Sequence, residues 1–465
     1  MEKIKNLSNK KIDKKIKEDL VNFQKINKNN RICILPDIHQ KKGEMSPTGT
    51  VLISDRIVPS FTHLCVGSGI SSWQIEVNED YDIKNFEKLF EFLSNKVPGE
   101  NHSNLKLHNF KKKDLIKNFK IGALSLVKQN ILKKKYLKNI ESNGNFLNFK
   151  NYLQFEIAVP DYLKNICYKN FGTLGIGNTF IELHEIKKNF NLDKKSKKKL
   201  LFIYIHSGIS EAYLTMFFSP RWGLHGKKFL PFEKEKWNYF SNHLVDKDSI
   251  LIKKNFLPGS SKYFDLDPFT YDGRLFMSAM AYLCNISICN RLYIGSNIEK
   301  YINKNLGIKK VTLLWDSIHD SIKFENFKNT KKIIHRHGAA PIYSDNYINK
   351  FLNRNKNYKN FIIPSSPGGD TLVGVSKNKS NIQFNSICHG TGRKLDRPIA
   401  RKKFSHKQTQ RLIENKVNKF YFKMTNLAGE NPNSFRSIND IIKILDKEKM
   451  IKKKYLTKPI YILKS

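Results

Sequence analysis

Acidic side chains are scarce in this chain: 41 Asp and Glu stand against 83 Lys and Arg in 465 residues, a formal net charge of +42. A field of that sign attracts polyanions and speeds their encounter, which favours a nucleic-acid partner. Coding bias is the alternative source, because the chain is saturated with Lys, Asn and Ile. Runs such as Lys111 to Lys113, Lys133 to Lys135 and Lys194 to Lys199 are then solvated faces. Cysteine is also sparse. Cys33, Cys65, Cys167, Cys284, Cys289 and Cys388 are scattered without zinc-ribbon spacing, and free thiols in a reducing cytoplasm are expected.

Other absences narrow the field further. Met1 to Lys17 is polar and basic with no apolar core, so no secretory leader is expected. No apolar run approaches the ~20 residues of a membrane span. There is no Walker-type phosphate loop, and Gly172-Thr173-Leu174-Gly175-Ile176-Gly177-Asn178 lacks the spacing of a dinucleotide fingerprint. The remainder is ordinary: 40% hydrophobic and 12% aromatic residues suit a folded chain with a large core. The length allows about three average domains, but the motifs below argue for one continuous catalytic body over residues 1–465.

Several β-rich runs end in polar, chemically capable turns: Arg31 to Leu35 before Pro36-Asp37-Ile38-His39, Leu200 to Ile205 before His206-Ser207-Gly208, and Val311 to Trp315 before Asp316. Phe361 to Ile363 before Pro364-Ser365-Ser366 and Gln383 to Ile387 before Cys388-His389 repeat the pattern, so strand ends deliver reactive residues. Apolar residues recur at three to four over Tyr81 to Asn95 and Leu275 to Leu292, predicting amphipathic helices. The stretch 81–150 is rich in Lys and Asn and poor in motifs, and is expected to be a helical subregion or insertion.

The most informative segment is Ile387-Cys388-His389-Gly390-Thr391-Gly392-Arg393, followed by Arg397 and the basic run Arg401 to Lys403. A neutral imidazole is a competent nucleophile near neutral pH, and glycines let backbone N–H groups approach anionic oxygens. Guanidinium groups match a phosphoryl group bidentately. His389 is therefore the candidate nucleophile for attack on a phosphate, against the plainer reading of a histidine packed beside a turn.

Taken in order, the motifs resemble the RtcB family of RNA ligases. Pro36-Asp37-Ile38-His39 is similar to the family's P-D-x-H loop, and Val66 to Ser72 stands where V-G-x-D-I-x-C is expected. Gly172 to Glu182 is similar to G-[ST]-L-G-x-G-N-H-F-x-E, Ile205 to Gly208 carries H-S-G, and Asn285 to Arg291 resembles N-x-A-x-A-N-R. His319-Asp320 matches an H-N pair, His335 to Ala339 an H-R-K-G-A element, and Pro364 to Gly368 a P-G-S-M-G loop. His389 to Arg393 matches H-G-A-G-R, and Ile462 to Ser465 a C-terminal V-K-G.

The resemblance implies an α+β fold, a single domain with mixed β-sheets around a deep polar cleft and helical insertions. It implies joining of an RNA 3′-phosphate or 2′,3′-cyclic phosphate to a 5′-hydroxyl with GTP and manganese, through a histidine–GMP intermediate on His389, in roles such as tRNA splicing or RNA repair. Asn178, Phe180, Glu182, Ser366, Arg393 and Lys464 fall on its nucleotide-binding positions. His206 and His319 fall on two of its five metal-ligand positions. At the other three the chain has Gly69 for aspartate, Ser72 for cysteine and Thr179 for histidine. A glycine cannot ligate, and neutral hydroxyls are poor ligands beside carboxylate or thiolate.

Further departures are Asp320 for asparagine, His337 for lysine and Pro367 for methionine, with Ile209-Ser210 where an arginine is usual. Asp37, His39, His63, Cys65 and Cys388 are the available compensating ligands. Three functions follow: a divergent ligase using one ion or a rebuilt pair; a member with altered guanylyl-transfer or RNA-end chemistry; and a non-catalytic RNA-binding protein using the positive field.

Overall fold

Side-chain alternation along the central strands decides the architecture. In the computed structural model, which describes residues 3–9, 12–40, 46–62, 66–97, 110–147, 151–159, 161–175, 178–190, 198–208, 263–377 and 383–465, the strands number in chain order as β1 (Ile4–Asn6), β2 (Arg31–His39), β3 (Thr48–Ser54), β4 (Gly69–Asn78), β5 (Phe180–Asn189), β6 (Lys198–Ser207), β7 (Val311–Ile318), β8 (Asp320–Phe327), β9 (Thr330–His337), β10 (Ala339–Pro341), β11 (Asn360–Ile363), β12 (Thr371–Ser376), β13 (Ser386–Cys388), β14 (Lys419–Phe422) and β15 (Ile451–Lys464). A large sheet runs β11-β12-β15-β5-β6-β4-β7, with β14 parallel to β15. A five-stranded sheet runs β1-β2-β3-β9-β8, and β10 pairs with β13.

On β5 and β6 the odd-numbered Ile181, Leu183, Leu201, Ile203 and Ile205 join the core built on the long helix Tyr271–Asn305. The even-numbered Phe180, Phe202 and Tyr204 turn to the other face, where they meet Ile70 of β4 with Ile362 and Val373 of β11 and β12. Period-two alternation thus gives the sheet two different faces. Because β11 and β4 lie near opposite ends of the strand order, their shared cluster means that the sheet curls into a nearly closed barrel. The fold is α+β, as expected.

The helix Tyr271–Asn305 spans 35 residues and is apolar around most of its circumference, so it is buried on several sides. Thr270 caps it, its Oγ1 accepting from Gly273 N–H at 3.3 Å. The helix is longer at both ends than the Leu275 to Leu292 periodicity indicated. In the stretch 81–150 the described residues form a 3-10 turn at Ile83–Phe86, helices Glu87–Lys96, Lys112–Ile121 and Ala123–Lys128, and 3-10 turns at Lys134–Asn139 and Glu141–Gly144. Phe86, Phe90, Leu115, Phe119 and Tyr136 pack into the long helix's own core.

The two main sheets connect at one residue. β7 ends at Ile318 in the large sheet and β8 begins at Asp320 in the five-stranded one, leaving His319 between them. Among the described residues no helix is long and apolar enough to cross a membrane.

Candidate active site

His389 follows β13, and that short strand is held by Arg336 of β9. The buried guanidinium donates to Ser386 Oγ at 2.9 Å, to Asn385 O at 3.1 Å and bidentately to Glu325 at 2.6 and 3.0 Å. The imidazole is then fixed from two directions. Its Nδ1 lies 2.9 Å from Asp37 Oδ2 and 2.8 Å from the Gly338 carbonyl. Both partners are acceptors, so Nδ1 carries a proton, and in the neutral tautomer the lone pair is on Nε2.

Asp37 reaches the imidazole through a bulge. Pairing between β2 and β3 steps from Ile34↔Thr50 to His39↔Thr48, leaving Leu35 to Ile38 opposite Gly49 alone. Pro36 has no N–H to give the ladder, and Gly49 (φ +82°) provides the clearance: a Cβ there would lie 2.7 Å from Asp37 Oδ1 and 2.8 Å from Ile38 N. The segment Pro36-Asp37-Ile38-His39, expected as a turn, is therefore the distorted end of the strand itself. His39 Nδ1 takes the Asp37 carbonyl at 2.8 Å.

A row of rings extends inward from His389. His319 lies 4.9 Å from it, His206 5.1 Å from His319, and Phe180 5.3 Å from His206, centroid to centroid. His206 Nδ1 donates to the Asn178 carbonyl at 2.5 Å, which leaves Nε2 unprotonated and facing His319 Nε2 at 3.4 Å. Burial pushes the His206 pKa down to about 3 against the opposing hydrogen bond to the Asn178 carbonyl, and the charges of Lys464 and Arg291 add to the lowering. The ring is neutral at physiological pH and competent as a ligand.

Two nitrogens sharing one ion at ~2.1 Å stand roughly 3.4 Å apart, so His206 and His319 fit a shared divalent ion. Asp320 Oδ2 lies 3.5 Å from His319 Nε2, and Ser68 Oγ 3.3 Å from His206 Nε2. The pair of ions does not fit the described residues, among which no three His, Cys, Asp or Glu form a ready metal cluster.

Gly69 shows why. A Cβ at that position would lie 2.2 Å from the Ser317 carbonyl and 2.8 Å from Arg291 Nη2, so an aspartate has no room. Thr179 Oγ1 turns to the Gly175 carbonyl at 3.4 Å. Of the compensating ligands, Asp37 serves His389, and Cys388 is buried in an apolar cluster that raises its thiol pKa well above the ordinary value. His63, Cys65 and the Ile209-Ser210 pair lie outside the described residues.

Arg291 occupies the space beside Gly69. Its guanidinium, fully buried, pairs with Asp316 at 3.0 and 2.8 Å and donates to the carbonyls of Gly67 at 2.8 Å and Ser207 at 3.0 Å. Asn290 adds bonds to Gly172, Thr173 and Ser207. The Asn-Arg pair of the long helix thus joins the ends of β4, β6 and β7 to the glycine-rich segment before β5.

The nucleotide-site candidates gather at the end of β15. Lys464 Nζ donates to Asn178 Oδ1 at 2.6 Å and lies 3.6 Å from Glu430 Oε2, and burial lowers its pKa. Glu430 also binds Arg397 Nε at 2.7 Å and Arg393 Nη1 at 3.5 Å. Burial pushes the Glu430 carboxyl up, but Arg397, Lys464 and Arg393 outweigh it and hold the pKa at about 2. Three cations therefore surround one buried carboxylate. Arg393 donates to the carbonyls of Leu395 and Gly429 and stacks 4.4 Å from the Phe435 ring centre.

Glu182 faces the barrel interior, 2.9 Å from His184 Nε2, and His184 Nδ1 is 3.2 Å from Thr457 Oγ1. Ser366 sits half-buried in the turn between β11 and β12, its carbonyl accepting from Gly369 N at 2.8 Å. That turn abuts the loop that carries His389, because a Cβ on Gly390 would lie 3.4 Å from the Pro364 carbonyl. Glu430 is the residue that sequence reasoning missed. Its partners stand 33 to 37 residues away with no periodic relation to it.

Comparison with known proteins identifies the family. The family model described as tRNA-splicing ligase RtcB matches residues 19–212 and 256–465. The tRNA-splicing ligase RtcB of Nanoarchaeum equitans is 24% identical over 331 residues, covering 65% of this chain and 62% of its own length. That of Archaeoglobus fulgidus is 24% identical over 312 residues, covering 63% and 59%. That of Thermococcus kodakarensis is 21% identical over 443 residues, covering 89% and 83%. The chain thus spans about three fifths of the length of the first two relatives.

Proposed function

The chain belongs to the RtcB family, and from that premise we propose that it is a divergent GTP-dependent RNA ligase with His389 as its nucleophile. One observation carries the reading: Asp37 Oδ2 and the Gly338 carbonyl hold the Nδ1 proton, so Nε2 is the atom left to attack. Nε2 attacks the α-phosphorus of GTP, a P–N bond forms, the bond to the β-phosphate oxygen breaks, and pyrophosphate leaves. The proton stays on Nδ1, and the Asp37 carboxylate offsets the positive charge that develops on the ring.

An oxygen of the RNA 3′-phosphate then attacks the same phosphorus and the P–N bond breaks, returning the lone pair to Nε2. The 5′-hydroxyl of the second RNA end attacks the activated 3′-phosphate, loses its proton and expels GMP. Asn178, Phe180, Glu182, Ser366, Arg393 and Lys464 form the nucleotide site in this scheme, and Glu430 holds Arg393, Arg397 and Lys464 in place. His206 and His319 would hold a divalent ion such as manganese, which would supply charge neutralisation for a phosphate.

A second reading has a specific observation behind it. The clearance at Gly69 excludes a carboxylate there, and altered guanylyl-transfer or RNA-end chemistry follows if a single ion does not support joining. The third, RNA binding without catalysis, rests on the positive field alone. The chain's proposed place of work is a reducing cytoplasm, where buried thiols such as Cys33 and Cys388 stay reduced.

The test offers the protein an RNA strand ending in a 3′-phosphate and another beginning with a 5′-hydroxyl, with GTP and manganese. A joined product lost in His389→Ala supports the first reading. Trimmed or guanylylated ends without joining support the second, and retained RNA affinity with unaltered ends supports the third. RNA binding should weaken steeply with salt, as phosphate contacts do.

A further inference from the structure

The curled sheet leaves a cavity of about 620 Å³ at its seam, between β4 and β7 on one side and β11, β12 and β15 on the other. It lies beyond the histidine row: Ile70 pairs with His206, and Ser72, which lines the cavity, is two residues further along β4, about 7 Å. The volume is in the range of small-molecule sites. No residue of the active-site proposal lines it.

The lining has a definite chemistry. Lys356, Lys359 and Lys454 border it, and among the described residues no carboxylate does. Lys359 pairs with Asp345, outside the cavity, at 2.7 Å. Burial, and after it the neighbouring charges of Lys452 and Lys359, lower the Lys454 pKa. Ile362, Val373 and Tyr455 supply an apolar and aromatic wall, and Gln74 and Asn360 supply amide edges.

We propose that this cavity is a nucleotide-binding site, taking one nucleoside phosphate with its phosphate toward the lysines and its base against the aromatic wall. A bare anion would leave the wall unused, and an apolar ligand would leave Lys356 and Lys454 unanswered. The nucleotide is either one unit of a bound RNA chain or a free mononucleotide. The site does not depend on the ligase reading, since it uses neither His389 nor the metal-facing histidines.

The test measures binding of a short fluorescein-labelled oligouridylate to the full chain by anisotropy, with uridine 3′-phosphate and inorganic phosphate as competitors. Val375→Trp fills the cavity from its half-buried edge without changing charge, and K356A/K454A removes the border cations. K14A/K17A, on the exposed face of the helix Lys14–Lys25, is the charge-matched control. Thermal melts establish that each variant is folded, and K356A/K454A keeps the test decisive if Val375→Trp is not.

The expected result is oligonucleotide binding about tenfold weaker in both cavity variants than in the control. Competition by uridine 3′-phosphate identifies a site open to free nucleotide, and weakening without competition identifies an RNA unit. Affinity equal to the control overturns the proposal, as does inorganic phosphate competing as well as the nucleotide. A wild-type protein that binds the oligonucleotide but never labels His389 would remove the ligase reading and leave this one standing.

Discussion

Replacing Arg291 by Met should destabilise the protein more than any other single change near the site. Both Arg291 and Asp316 have fully buried side chains. Removing one partner of such a pair leaves an uncompensated charge, at roughly 3–5 kcal/mol. Arg291 also satisfies the carbonyls of Gly67 and Ser207, and each would lose its partner at about 1 kcal/mol. A total loss of about 5–7 kcal/mol at neutral pH follows, a large share of the stability of an ordinary domain.

The double variant Arg291→Met/Asp316→Leu removes the buried charge but not the orphaned carbonyls. It should therefore regain about 3–5 kcal/mol and remain about 2 kcal/mol below wild type. The pH dependence has a definite sign. Burial raises the Asp316 pKa in the folded chain even with Arg291 opposing it, so ionising it disfavours folding. Without Arg291 the shift grows in the same direction, and the loss should be largest at neutral pH and shrink as pH falls toward the usual aspartate value of about 4. Urea unfolding followed by circular dichroism reads all of this. A single variant within 1 kcal/mol of wild type, or a double variant no more stable than the single, would refute the reasoning.

Asp37→Ala should slow guanylate labelling of His389 by about 10²- to 10⁴-fold, because the Nδ1 proton loses its carboxylate and the reactive tautomer is no longer enforced; single-turnover labelling measures it. Gly69→Asp should not rebuild a manganese site. Its side chain would meet the Ser317 carbonyl and Arg291, so stability should drop by roughly 1–3 kcal/mol while metal content, read by mass spectrometry, stays at the wild-type value. Glu430 is held at about 2, below the ordinary glutamate value of about 4.3. Its contribution, on the order of 3 kcal/mol, is fully present above that value and is lost as pH falls toward 2; Glu430→Gln should flatten this limb of a pH–stability curve.

Much of the site was legible because its histidines sit at strand ends. The runs before His206 and His389 form β6 and β13, and His319 falls between β7 and β8, where two sheets meet. The Asn285 to Arg291 motif could be recognised but not interpreted, since its bonds run to partners 25 to 224 residues distant. Asp37 was noticed as a spare metal ligand, yet the bulge opposite Gly49 aims it at His389, a consequence of register that local patterning does not encode. Three replaced ligands were visible as letters. That Arg291 fills the place of the first was not, nor was the seam cavity, because both come from how the large sheet curls.

The most direct measurement incubates the purified protein with α-³²P-labelled GTP and manganese, separates it under denaturing conditions and tests the label for acid lability. The account predicts an acid-labile adduct that disappears in His389→Ala and is strongly reduced in Asp37→Ala. A label that survives His389→Ala, or no label with any divalent metal, would contradict it.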